Sequence, residues 1–212
     1  EAAFLTELEV LSEVLDLRTK AGKEVMTDVQ LRAAGKELIK SEDFWKIRDI
    51  RISVMAHPLA GKILKKGTSE SSAFWTDNET GIKCKCRPDW SPQVLNRCLI
   101  DLKSTTDASI KGFQRSVVQY GYYRQAAWYI DGLNAAAGLS GDETIDSMLF
   151  IVVEKEPPYR VECYLLSDDF VELGRKECRR LLELEKQCRE NNDWPNYTSS
   201  GITEIAAPAW MV

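Results

Sequence analysis

Asp101 and Lys103 stand two apart in the stretch Cys98-Leu99-Ile100-Asp101-Leu102-Lys103. On a strand, side chains alternate between faces, so the carboxylate and the ammonium leave one face together. Leu102 then points the other way, into a core. Asp89 follows Pro88 twelve residues earlier and ends the preceding strand, a spacing that allows one loop and a return. Two carboxylates from neighbouring strand ends plus one lysine suit metal-assisted hydrolysis of a phosphodiester. Hard oxygen ligands hold Mg²⁺, which polarises the phosphate and lowers the pKa of a bound water. The lysine orients or helps deprotonate that water and offsets developing charge. Asp-x-Lys alone is also a common surface ion pair. The chain has one histidine, His57, beside Pro58, and on its own it reads first as a satisfied helix-end residue. Gln125 and Tyr129 are four apart and share a helix face. The aromatic run around them, Tyr120, Tyr122, Tyr123 and Trp128, reads first as core packing.

The apolar spacing from Phe4 to Leu17 predicts a helix. Thr27-Asp28-Val29-Gln30 resembles a capping box opening a second, with Leu31, Ala34, Leu38 and Ile39 at helical spacing. A third runs from Ser41 or Asp43 to His57, and Pro58 opens another turn or two that Gly67 closes. The period then changes. Ser72–Thr76 and Gly81–Arg87 alternate around the turn cluster Asp77-Asn78-Glu79-Thr80-Gly81, which predicts a hairpin. Asn96–Ser104 is a third strand. Asp107 to Ser109 offers an N-cap for a long helix to about Ala137, with a break near Gly121 and Gly138 at its end. Met148–Glu154 and Tyr159–Leu166 are two more strands, and Asp168 or Asp169 caps a last helix through Glu190. Helices followed by β-β-β-α-β-β-α predict an α/β (α+β) fold, a mixed sheet flanked by helices. With no internal repeat and no linker, residues 1–212 are expected to form a single domain. Its parts would be an N-terminal helical segment (1–40), a catalytic core (41–193) and an irregular tail (194–212).

The composition is that of an ordinary globular protein: 212 residues, 44% hydrophobic and 29% charged, with 12 Gly and 7 Pro. That excludes collagen-like and largely disordered chains. No apolar run reaches the ~18 residues of a membrane helix, and no basic-then-apolar leader follows Glu1. Six cysteines without a C-x-x-C pair are expected to be reduced thiols in a cytoplasmic protein rather than a disulfide framework or a zinc site. The net charge of −5 argues by itself against a nucleic-acid partner, but its distribution does not. Phe44–Gly67 and Ile82–Gln125 each carry a net +5, so the remainder is strongly acidic. Local basic surface on an acidic body fits a polyanion-binding cleft.

Taken in order, His57, Glu70, Pro88-Asp89, Asp101-Leu102-Lys103 and Gln125-x-x-x-Tyr129 resemble the PD-(D/E)xK nuclease superfamily and its RecB-like group. More narrowly, the chain looks like the catalytic domain of the RecE (exonuclease VIII) family and its prophage relatives. Val54-Met55-Ala56-His57-Pro58, Thr80 to Asp89, Ile100 to Thr105 and Gln125-Ala126-Ala127-Trp128-Tyr129 carry the likeness, which spans roughly residues 25–210. The resemblance implies a PD-(D/E)xK core with His57, Asp89, Asp101 and the Leu102 carbonyl as ligands of Mg²⁺ or Mn²⁺. Lys103 would serve the attacking water and Glu70 the edge of the site. Gln125 and Tyr129 would position the DNA backbone or brace the site. The implied activity is 5′-to-3′ digestion of double-stranded DNA from its ends, leaving 3′ single strands for a RecT-like annealing partner in recombination. A ring-shaped homo-oligomer, here expected to be a tetramer, would enclose the duplex, with Arg87, Lys111 and Arg115 facing the channel. Tyr122-Tyr123 stands where many relatives carry a Tyr-His pair. Cys163, Cys178 and Cys188 are too dispersed for the iron–sulfur cluster of other RecB-like proteins. The alternatives are a Cas4-like or other RecB-like endonuclease, or a DNA-binding module with a dead site.

Overall fold

A computed structural model describes residues 8–11, 18–33, 36–95, 97–196, 201–202 and 204–208. Its centre is a five-stranded mixed sheet. The strands are β3 (Gly67–Ser69), β6 (Trp90–Pro92), β7 (Cys98–Thr105), β8 (Ser147–Glu154) and β9 (Val161–Leu165), in the order β3-β6-β7-β8-β9. Within this sheet β7 and β8 are the one pair of neighbours that run parallel, with Asp101 opposite Phe150 and Lys103 opposite Val152. Their connection crosses over through α4 (Ile110–Tyr120) and α5 (Tyr122–Ala137), as a parallel pair requires.

Alternation along β7 and β8 splits the core in two. Leu99, Met148, Phe150 and Val152 face Phe113 and Val117 of α4, Ala126, Ala127 and Ile130 of α5, and Val171 of α6 (Asp168–Asn191). Cys98, Ile100, Leu149, Ile151 and Val153 face Val54 of α2 (Ser41–Ala56) and Ala60 and Ile63 of the short α3 (Ala60–Ile63). Outside this frame, β4 (Ala73–Thr76) and β5 (Lys83–Cys86) form the expected hairpin. Trp75 of β4 packs on Trp128 of α5 with ring centroids 5.0 Å apart. The break at Gly121 is where the sequence places it. Gly121 takes the left-handed conformation (φ 69°) that favours glycine, ends α4, and lets α5 restart at Tyr122 in a new direction.

The first forty residues depart from the all-helical expectation. Leu8–Leu11 is a strand, β1, paired in parallel with β2 (Glu37–Lys40); the rest of the helix expected over Phe4–Leu17 lies outside the described residues. A short apolar run satisfies both periods, and the long-range pairing decides it. The intervening helix α1 (Lys20–Ala33) starts earlier than the capping box suggests. Thr19 Oγ1 accepts from Gly22 N at 3.0 Å, whereas the Thr27 hydroxyl, inside the helix, donates to the Lys23 carbonyl. Gly67 opens β3 rather than closing a helix, because it pairs with Pro92 across the ladder to β6, and a Cβ there would strike the Trp90 ring and the Ser91 carbonyl. The last helix takes Ser167 as its N-cap, with Asp168 and Asp169 in its first turn. The tail residues 194–196, 201–202 and 204–208 adopt neither helix nor strand. All six cysteines are free, and among the described residues no helix is long and apolar enough to cross a membrane.

Asp77 fastens the hairpin to α6. Its carboxylate accepts from both terminal nitrogens of Arg179, at 2.9 and 2.8 Å, and from Thr80 Oγ1 and N at 2.6 and 2.9 Å. The Arg179 guanidinium, helped by Thr80, holds the Asp77 carboxyl well below the usual carboxylate range. A folded-state pKa below the unfolded value of ~3.9 stabilises the protein above that value, and the gain is lost as pH falls toward the folded pKa. Asp77→Asn is expected to cost on the order of 1–3 kcal/mol at neutral pH. The difference from the parent should shrink below about pH 4. Urea melts at pH 7 and pH 3 measure both, and an equal deficit at the two pH values would contradict it.

Candidate active site

Strand β7 places the central pair as the sequence predicts. Asp101 and Lys103 share the face covered by α4 and α5, and Lys103 Nζ lies 2.6 Å from Asp101 Oδ2. The Asp101 side chain is 0% exposed and that of Lys103 18%. The restart of α5 at Tyr122 supplies the other two contacts. Gln125 Nε2 donates to Asp101 Oδ1 at 2.6 Å, and the Tyr122 ring centroid lies 4.5 Å from the Lys103 ammonium, a cation–π contact. Tyr122 is three residues before Gln125 on the same helix face. That i,i+3 spacing was the available signal for its role, masked by the aromatic run around it. Asp101 Oδ2 remains without a hydrogen bond of proper geometry despite its proximity to Lys103.

Asp89 reaches the same spot from the neighbouring strand. The antiparallel ladder between β6 and β7 consists of the Trp90–Ile100 pair, and Asp89 lies just beyond it. Its Oδ2 accepts from the Leu102 N–H at 3.3 Å, taking the place of a ladder carbonyl. Pro88 is fully buried before it, and Trp90 behind it donates from Nε1 to the Ile63 carbonyl. Burial pushes the Asp101 carboxyl up, Lys103 pulls it back, and Asp89 raises it again. Asp101 is thus a desolvated carboxylate with a second carboxylate beside it and one oxygen facing the Lys103 ammonium alone. Hard-oxygen donors of this kind fit a divalent cation. Asp89, Asp101 and the Leu102 carbonyl are the groups that would hold it.

The remaining expected residues are more scattered. Glu70 is at the edge of the site: its N–H donates to the Asp89 carbonyl at 3.1 Å, but its carboxylate pairs with Arg87 rather than turning to Asp101. Tyr129 packs half-buried against the core and lines, with Gln125, Trp128 and Leu181, a groove of about 460 Å³ between α5 and α6. Leu102 does leave the opposite face, yet it is 46% exposed, because α2 and α3 cover Ile100 and stop short of it.

The structure does not bring His57 to the carboxylates. Pro58 forces His57 into extended backbone at the end of α2, and its Nδ1 accepts from Ala60 N at 3.1 Å. In the neutral ring this leaves the proton on Nε2, so neither nitrogen offers a free lone pair. The same Nδ1 lies 3.7 Å from Cys163 Sγ, on the sheet face opposite Asp101 and Lys103. Among the described residues, no three His, Cys, Asp or Glu side chains are gathered as a metal-binding group.

Residues 8–206 match the family described as "PDDEXK-like domain of unknown function (DUF3799)". The chain belongs to that family. Its mixed sheet flanked by helices is a PD-(D/E)xK core. Proteins with this core typically use divalent metal ions. The chain is also similar to the crystal structure of the "Putative exonuclease" from Eubacterium rectale. The two share 14% identity over 76% of this chain and 67% of that one, with a TM-score of 0.51, a likeness of fold. The crystal structure of SSO0001 matches at 13% identity over the same shares, with a TM-score of 0.35, too low to carry an argument. No curated protein matches the chain.

Asp101→Asn removes the buried charge and keeps the acceptor for Gln125. Its melting temperature without metal is expected to stay near the parent's, because the desolvation cost of the carboxylate disappears while Lys103 loses its counter-charge. Excess Mn²⁺ should raise the melting temperature of the parent and leave Asp101→Asn unmoved, since a ligand stabilises only the state that binds it. A large loss of stability in the variant without metal would instead make Asp101 a structural group.

Proposed function

We propose that this chain is a metal-dependent nuclease and, within that class, a RecE-like exonuclease that digests double-stranded DNA 5′ to 3′. The observation that supports it most is Asp101, a fully buried carboxylate held between Gln125 and Lys103 with Asp89 alongside. Sealing a carboxylate in a sheet is costly, and replacing such groups with apolar ones is often neutral or stabilising. A structural role therefore accounts poorly for it, and a chemical one accounts for the burial and for the second carboxylate beside it.

A divalent cation at Asp89, Asp101 and the Leu102 carbonyl would supply Lewis-acid polarisation of the scissile phosphate and an acidified water. The chain's own groups do the rest. Gln125 fixes the rotation of the Asp101 carboxylate by holding Oδ1, so Oδ2 stays on the Lys103 side. Lys103 orients the attacking water and offsets charge growing on the phosphate. Tyr122 holds the ammonium in place without neutralising it, as a carboxylate would.

Duplex ends as substrate, the polarity, the RecT-like partner, the part in recombination, the prophage origin and a cytoplasmic setting follow from the RecE likeness and the two basic windows. A processive enzyme must stay on its duplex, and a closed ring, here a tetramer with Arg87, Lys111 and Arg115 toward the channel, would keep it there.

Linear duplexes labelled at either the 5′ or the 3′ end, incubated with Mg²⁺ or Mn²⁺ and with chelator, test this reading. The 5′ label is expected to be released first, the 3′-labelled strand to survive as single strand, and chelator to stop both. Nicks in circular DNA would favour the endonuclease, and no cleavage at all the binding module. Lys103→Ala should lower turnover at saturating metal on the order of 10²–10³-fold while metal affinity holds. Normal turnover with lost metal affinity would reverse the assignment of Lys103.

A further inference from the structure

A second concavity begins where the carboxylate pair ends. It holds about 390 Å³ and is bounded by the β7–α4 loop, the outer face of α4, Tyr122 and Lys155, with Lys103 on its wall. That volume is near the lower end of the roughly 300–1,000 Å³ of small-molecule sites, which suits one nucleotide rather than a stretch of strand.

Its lining is built for an anion with a flat ring attached. Three cations face it, Lys103, Arg115 and Lys155, against one acid, Asp107. Asp107 is already engaged. Its Oδ1 accepts from the Ser109 N–H at 2.9 Å, and the Ser109 hydroxyl first, then that N–H, holds its carboxyl below the usual range, with Arg115 contributing. Gly112 must stay bare for this, since a Cβ there would strike the Asp107 carboxylate. Lys155 is fixed at its backbone by a 2.9 Å bond from its N–H to the Thr105 carbonyl, which keeps its side chain at the pocket. Among the described residues, no ion pair engages Arg115 or Lys155. Thr106 adds a hydroxyl to the lining. At the rim stands Tyr120, 61% exposed, its ring centroid 5.6 Å from that of Tyr122 and tilted by 30°. An aromatic so exposed contributes little to the core, whereas a ring at the mouth of a basic pocket can stack a base.

We infer that this pocket seats the nucleotide next to the scissile phosphate, its phosphate on Arg115 and Lys155 and its base on Tyr120. The inference rests on the nuclease reading, because Lys103 belongs to both the reacting centre and the pocket. Contacts to phosphate and to a base face carry no sequence preference, so the pocket positions the strand without selecting it.

Fluorescence anisotropy of a labelled oligothymidylate, with chelator present to prevent cleavage, tests the inference. Arg115→Ala and Lys155→Ala should each weaken binding and flatten the slope of log K against log salt by about 0.7. Tyr120→Ala should weaken it about 5- to 100-fold with the slope unchanged, and Tyr120→Phe should restore it. All three side chains are exposed, so the fold is not at risk. Wild-type affinity and slope in both cation variants would overturn the pocket, and so would a parent chain that binds no oligonucleotide. Duplex digestion run in parallel keeps the two readings apart. Active enzyme with unaffected binding variants overturns the pocket alone. An inactive parent that still binds through Arg115 and Lys155 overturns the nuclease and leaves a strand-binding site.

Discussion

Asp101 carries a carboxylate in the middle of a sheet where water does not reach, and the surrounding structure answers to that group. Its two oxygens need a cation and a donor. Lys103 comes from the same strand face, which the two-residue period provides for nothing more than correct pairing of β7 with β8. Gln125 comes from a helix that must restart at the right place and angle, which is what the left-handed Gly121 allows. Tyr122, first in that helix, then lies over Lys103. One backbone conformation at a glycine thus sets two of the contacts around the buried charge.

The sheet also acts as a partition. Asp101, Lys103, Gln125 and Tyr122 belong to the side that packs against α4, α5 and α6, while His57 and Cys163 belong to the side of α2 and α3. Asp89 serves the first side from the edge. The β6–β7 ladder stops at Trp90 and Ile100, and the carboxylate next in line binds the freed Leu102 N–H. At its place beside Cys163 the His57 ring is held by its bond from Ala60.

What the sequence made legible was set by local rules. Alternation in Cys98–Thr105, the turn cluster Asp77–Gly81 and the glycine at 121 each act over a few residues, so the strand, the hairpin and the helix break are found where the pattern puts them. What escaped depends on partners distant in the chain. Leu8–Leu11 is a strand because Glu37–Lys40 lies beside it, and β3 and β6 are too short to show a period of their own. In the site, Asp101, Lys103 and Asp89 were readable from spacing. His57 entered only through the resemblance, which says nothing of which side of the sheet a residue occupies, and the cap it forms on Ala60 is invisible until the turn is built. Exposure of Leu102 reflects where α2 and α3 end, again a property of packing rather than of the strand.

The central claim is that the two carboxylates, and not the histidine, define the cation site. Crystals soaked in Mn²⁺ and measured at a wavelength where manganese scatters anomalously test it directly. A peak in contact with both Asp89 and Asp101 and beside the Leu102 carbonyl is the expected result, with His57 still bonded to Ala60. A peak on His57 away from Asp101, or no peak near the carboxylates at saturating Mn²⁺, would contradict it.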